Sequence, residues 1–182
     1  MSKQVFFTVE KNFYQTKVEM KDFAKASREL KIGIAKETFP HENRVALVPH
    51  SVHNLVARGH HILVESGAGE RSNFSDHNYS EAGAEICYSP KEVLQADIVL
   101  KVAPPNLDEL QYFHPNQILI SPLYLPVANT EYIQALRQKR VTALAMEYLQ
   151  AEDGSFPLVR VMSEIAGLAV IHTAAELLTN TH

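Results

Sequence analysis

The chain has 182 residues, 46 % of them apolar and 21 % charged, with net charge −4 and one cysteine. That mix excludes a disordered or collagen-like chain, and the acidic balance lacks the basic footprint of a nucleic-acid binder. A lone Cys87 excludes an internal disulfide and fits a reducing, cytoplasmic compartment. Unbroken apolar runs are short: Val5–Val9 is too brief for a secretory signal, and the uncharged stretch from Pro115 to Thr130 carries three prolines. The chain is therefore expected not to insert into a membrane.

Residues 1–30 are rich in Lys, Glu and aromatics, with helical spacing only approximately kept at Tyr14, Val18, Phe23 and Leu30. They are expected to form a partly helical N-terminal extension. From Lys31 onward β-rich runs alternate with helical segments. The runs are Lys31–Ala35, Ile62–Glu65, Glu85–Tyr88, Ile98–Val102, Gln117–Ser121 and Val141–Met146.

The helices between them have recognisable starts. Pro49 at a first-turn position and Gly59 beyond the end frame the first. Ser75 or Asp76 caps the second, which ends at Gly83. Ser89-Pro90-Lys91-Glu92 has the composition of a capping box, with Glu92 placed to reach back. Asn106-Leu107-Asp108-Glu109 repeats the idea, and Asn129 or Thr130 starts a helix carrying Tyr132, Ile133 and Leu136. Ser163 is expected to open a last helix, apolar nearly all round through Leu178.

This alternation predicts an α/β fold with a doubly wound, mostly parallel sheet in three α/β/α layers, of flavodoxin or Rossmann type. The strands read as apolar runs, as strands buried on both faces do. The last helix would exceed what a surface helix needs, so it calls for cover from further chain or a second subunit, and a homo-oligomer is expected.

In open α/β sheets ligands bind outside the carboxyl ends of the strands. The residues that follow these ends include Arg44, Lys101, Tyr124 and Tyr148. Lys101 closes an otherwise apolar strand, where an ammonium needs a partner. It suits either an anionic or carbonyl-bearing ligand or a salt bridge, for instance to Glu37. Arg44 could fork a carboxylate, or pair with Glu42 beside it. Gly67-Ala68-Gly69-Glu70 lacks the third glycine of a dinucleotide loop and reads as a tight turn. The nine histidines lack metal-site spacing, so no metal is expected.

Several stretches together resemble the N-terminal domain shared by alanine dehydrogenases and the alpha subunit of proton-pumping nicotinamide nucleotide transhydrogenases. They are Ile32-Gly33-Ile34-Ala35-Lys36-Glu37-Thr38, Glu42-Asn43-Arg44-Val45-Ala46-Leu47-Val48-Pro49, Glu65-Ser66-Gly67-Ala68-Gly69-Glu70, Val99-Leu100-Lys101-Val102 and Met162-Ser163-Glu164-Ile165-Ala166-Gly167. Glu152–Leu158 is similar to the dehydrogenase branch. The resemblance implies three parts: an extension over 1–30, the family domain over 31–162, and an interdomain linker helix over 163–182, with a nucleotide-binding domain outside this chain.

By the same resemblance Arg44 binds a substrate carboxylate and Lys101 contacts the substrate near its reacting carbonyl or amine. Met162 and Ser163 lie near an NAD or NADP cofactor held mainly by the other domain. The implied activity is NAD-linked conversion of L-alanine to pyruvate in the full-length protein, this segment alone being inactive. The alternatives are a transhydrogenase subunit moving hydride between NAD and NADP, or a non-catalytic binding module. One position departs: dehydrogenases of the family present His in the loop after the fifth strand, where this chain has Tyr124. Ordinary tyrosine titrates near about 10, far from the histidine range, so Tyr124 is a poor substitute for proton transfer.

Overall fold

A computed structural model describes residues 29–179. The expected N-terminal extension lies outside the described residues except for Glu29 and Leu30, which have no regular secondary structure.

All six expected strands form: β1 (Lys31–Ile34), β2 (His61–Glu65), β3 (Glu85–Cys87), β4 (Ile98–Leu100), β5 (Ile118–Ser121) and β6 (Thr142–Ala145). They make one sheet in the order β3-β2-β1-β4-β5-β6, and every pairing is parallel. This is the doubly wound order that reverses direction between β1 and its neighbour β4. Five helices connect the strands: α1 (Pro49–Ala57), α2 (Asp76–Glu81), α3 (Pro90–Leu94), α4 (Leu107–Leu110) and α5 (Thr130–Lys139).

Alternate strand residues feed two cores. On one face Ile32, Ile34, Ile62 and Val64 meet Val52 of α1 and Tyr79 of α2. On the other, Leu63, Val99 and Leu119 meet Val93 and Leu94 of α3, Leu110 of α4 and Leu136 of α5. Each such side chain contributes about 1.5–3 kcal/mol by leaving water. Gly33 faces α3, and a Cβ there would collide with the Val93 carbonyl oxygen. The missing side chain is what lets α3 cross directly over the central strand.

The caps test the local reading. Ser75 and Asn78 form a reciprocal capping box on α2, as do Asn106 and Glu109 on α4. Ser89 precedes α3 but makes no side-chain cap, contrary to expectation. Burial foremost pushes the Cys87 thiol up to about 11, with the Glu85 and Glu92 carboxylates adding to the rise. Cys87 is thus a buried thiol held in its neutral form.

The last helix, α6 (Pro157–Thr179), begins at Pro157 rather than at Ser163. Proline suits a first helical turn, and an Arg160–Glu164 pair at 3.0 Å, one turn apart, supports the added segment. None of α6 is buried; Leu168 is 70 % exposed. Over 23 residues it is also long and apolar enough to cross a membrane by length and composition. A search for unbroken apolar runs overlooks this, because Arg160, Glu164 and Glu176 interrupt the helix. The adjoining sheet face is open too: Ile118 and Ile120 are half-buried and Leu144 of β6 is 40 % exposed. The three-layer arrangement is complete around β1–β3 and lacks part of one layer over β5 and β6 among the described residues.

Candidate active site

The loops after β1, β4, β5 and β6 and the first turns of α6 line an open cavity of about 700 Å³ at the carboxyl edge of the sheet. Arg44, Val102, Tyr124, Glu147, Met162 and Ser163 contribute to its walls, with aliphatic side chains between them. Arg44, Tyr124, Met162 and Ser163, all singled out from the sequence, therefore meet here, from two separate loops and a helix.

Arg44 sits in the long loop between β1 and α1. Its Nε donates to Glu42 Oε1 at 2.8 Å and its Nη2 to Glu42 Oε2 at 2.6 Å, a two-pronged pair. The Arg44 backbone N–H donates to Glu42 Oε1 as well, at 2.9 Å. These bonds from Arg44 hold the Glu42 carboxyl below the usual carboxylate range. The turn after β2 braces the loop: Arg71 donates to the Glu42 carbonyl at 3.2 Å and Ser72 Oγ to the Asn43 carbonyl at 2.6 Å. The remaining edge of the guanidinium points toward α6, where Nη1 donates to the Met162 sulfur at 3.4 Å. Arg44 thus pairs with Glu42, one of its two sequence readings, and also lines the cavity.

Lys101 is placed differently. It follows β4, its side chain is 1 % exposed, and it is not part of the cavity wall; the next residue, Val102, is. Its ammonium lies 2.6 Å from Glu109 Oε1 and 3.8 Å from Glu37 Oε2, and donates to the Lys36 carbonyl at 3.4 Å. Glu37 in turn accepts from the backbone N–H groups of Val102 at 2.6 Å and Ala103 at 3.3 Å, fixing the turn that carries Lys101. Burial pushes the Glu37 carboxyl above its ordinary value, against the lowering influence of the Lys101 ammonium.

The nearer partner, Glu109, was not anticipated. Its second oxygen accepts from the Asn106 backbone N–H at 2.8 Å, completing the cap of α4. One carboxylate thus starts a helix and neutralises a buried ammonium. The signal in the sequence was the Asn106…Glu109 spacing, which announces a cap and says nothing of Lys101.

Tyr124 lies in the left-handed region, φ 47° and ψ 43°, unusual for a residue with a side chain. Glu147, after β6, holds the turn by accepting from Leu123 N–H at 3.0 Å and Tyr124 N–H at 2.8 Å through Oε1. Glu147 was not singled out from the sequence. Tyr148, expected on the same rim, is exposed and is not among the cavity walls.

The Gly67–Gly69 segment is a tight turn into a short 3₁₀ helix at Glu70–Ser72. Its glycines face their own protein: a Cβ on Gly69 would meet Tyr79 and Phe74, and one on Gly67 the Lys36 and Glu70 side chains. The Gly67 N–H donates to Asp76 Oδ1 at 2.8 Å. Met162 and Ser163, expected near a cofactor, stand on the cavity wall.

Comparison with known proteins follows the same lines. Residues 33–166 match the family model described as alanine dehydrogenase/PNT, N-terminal domain. The chain is 44 % identical over 147 residues to alanine dehydrogenase of Bacillus subtilis, covering 81 % of this chain and 38 % of that protein. It is 44 % identical over 150 residues to alanine dehydrogenase 2 of Staphylococcus aureus, covering 82 % and 40 %. Among solved structures an L-alanine dehydrogenase superposes with a TM-score of 0.73 at 36 % identity, covering 76 % of this chain and 38 % of that one. A transhydrogenase from Sinorhizobium meliloti superposes with a TM-score of 0.61 at 34 % identity, covering 65 % and 35 %. The chain spans about two-fifths of the length of the curated relatives it matches.

Proposed function

The chain belongs to the alanine dehydrogenase/PNT N-terminal domain family, and from that membership we propose that it forms the acid-binding part of an NAD-linked oxidoreductase interconverting L-alanine and pyruvate. The observation that carries the reading is the Arg44 guanidinium facing a largely apolar cavity between the sheet edge and α6. A small organic acid needs that combination: one cationic fork for its carboxylate and aliphatic walls for its methyl group.

In this reading Arg44 anchors the carboxylate. Met162 and Ser163 are the wall residues that would hold a nicotinamide cofactor, which would supply the hydride chemistry. Lys101 supplies positive charge toward the reacting carbonyl oxygen, stabilising the negative charge that develops there. It stands one residue behind the cavity wall, so it acts through the turn at Val102 or after parting from Glu109. Tyr124 can donate a hydrogen bond to bound acid; proton transfer falls to another group or to water. The exposed α6 and the open sheet face beside it are the surfaces that further chain or a second copy covers.

The test is alanine-dependent reduction of NAD by the full-length protein, read from the absorbance of the reduced cofactor. Activity that falls at least a hundredfold in Arg44→Ala and in Lys101→Ala supports the reading. Activity no greater than that of Lys101→Ala rejects it, and hydride exchange between NAD and NADP without alanine would identify the transhydrogenase branch instead.

A further inference from the structure

Resting on the reading of the cavity as the site of a small organic acid, we infer that Glu147 is a positioning residue. It aims the Tyr124 hydroxyl at bound acid by holding Tyr124 in a left-handed backbone. Both residues line the cavity. They arrive side by side because Ser121 of β5 pairs with Ala145 of β6, and each chain runs two residues further, to Leu123 and to Glu147. The Glu147 carboxylate is committed to the backbone. Its Oε1 accepts from the Leu123 N–H at 3.0 Å and the Tyr124 N–H at 2.8 Å, and its Oε2 from the Leu123 N–H at 3.2 Å. Successive amides converging on one carboxylate offset its charge, so Glu147 shapes the wall and leaves ligand contact to its neighbour.

Tyr124 needs such a clamp. A φ of 47° and ψ of 43° cost a residue with a Cβ energy, and the conformation lasts only where its surroundings impose it. The clamp works from both sides of the residue. Glu147 takes the N–H, and the Val127 N–H donates to the Tyr124 carbonyl at 2.9 Å as the chain enters the 3₁₀ turn Leu125–Val127. The Tyr124 side chain does not cap that turn, which leaves its hydroxyl to the cavity. The Arg44 guanidinium is raised above its ordinary value chiefly by its bonds to Glu42, and the Tyr124 phenol adds to the rise, so the two groups share one electrostatic neighbourhood. An acid anchored on Arg44 thus meets a second donor in the Tyr124 hydroxyl. Were the turn to relax into an ordinary backbone region, the Cα–Cβ bond would swing and carry the ring away from the wall.

The experiment uses the full-length protein and reads KM and kcat separately for pyruvate, with ammonia and the reduced cofactor. Tyr124→Phe is expected to raise KM about tenfold, the worth of one hydrogen bond to a charged acceptor, with kcat little changed. Glu147→Ala is expected to raise KM to the same extent. In a Tyr124→Phe background it should add less than about twofold, since both changes remove one interaction. Glu147→Gln keeps an oxygen for the two amides and is expected to leave KM near that of the unaltered protein. General damage to the fold would lower kcat, or would multiply KM equally in both backgrounds. Either result, or an unmoved KM in Glu147→Ala or in Tyr124→Phe, overturns the inference. Should Glu147→Ala fail to fold, Glu147→Asp, which keeps the charge and withdraws it by one methylene, takes its place with the same expected outcomes. An Arg44→Met protein with unaltered KM for pyruvate would reject the acid-site reading itself, whereas a raised KM in Arg44→Met with an unmoved KM in Glu147→Ala rejects only the role of Glu147.

Discussion

Replacing Lys101 by methionine probes the most deeply buried charge described in the domain. The ammonium is 1 % exposed, 2.6 Å from Glu109 and 3.8 Å from Glu37. Methionine fills most of the space of the lysine stem, so the packing change is small, under about 1.5 kcal/mol. The electrostatic change is larger. Glu109 keeps the Asn106 N–H, and Glu37 keeps the Val102 and Ala103 N–H groups, but both lose their counterion in a dry environment. Removing one partner of a buried pair costs about 3–5 kcal/mol. For a domain of roughly 150 residues that lowers Tm by on the order of 10 °C. Lys101→Met combined with Glu109→Gln removes the strongest unpaired charge and should recover more than half of the loss. Urea denaturation of the three proteins, followed by circular dichroism, measures this. A single-variant loss below about 1 kcal/mol, the value of a solvent-screened pair, would refute the reasoning. So would a double variant no more stable than the single one.

Burial raises the Glu65 carboxyl above its ordinary 4.5. As pH climbs from that value through the raised one, the folded state keeps a proton that the unfolded chain has released, so stability falls across this window. In Glu65→Gln, which can still accept the Lys36 N–H, the fall should be shallower in urea midpoints collected across the same window. Gly33→Ala drives a methyl group against the Val93 carbonyl and should cost about 1–3 kcal/mol or more, seen as a lower urea midpoint without a change in slope. Glu147→Ala leaves the Leu123 and Tyr124 amides without their acceptor. Their hydrogen exchange should accelerate by about tenfold or more while amides of β1 stay protected, and equal exchange in both proteins would show that the turn holds itself.

Much of this molecule could be read one neighbourhood at a time. The apolar runs at Lys31–Ala35, Ile62–Glu65 and Gln117–Ser121 became strands within a residue of their expected ends. Ser75, Asn106 and Asn129 cap the helices that follow them. These features depend on residues three or four positions apart, which any sequence displays. The rule that ligands gather at the carboxyl edge places Arg44 and Tyr124 on one rim, and both line the cavity.

Pairings across long separations were another matter. Nothing local tells Lys101 to choose Glu109 over Glu37, because the choice depends on where α4 lands against the end of β4. Glu92 has the spacing of a capping partner, yet no side-chain cap forms at Ser89. The contact between Arg44 and Met162, 118 residues apart, exists only because α6 begins at Pro157 and returns across the loop. Chain order and periodicity determine which elements form. The strand order, the partner of each buried charge and the shape of the cavity arise when those elements dock, since their energies come from contacts that no stretch of chain contains by itself.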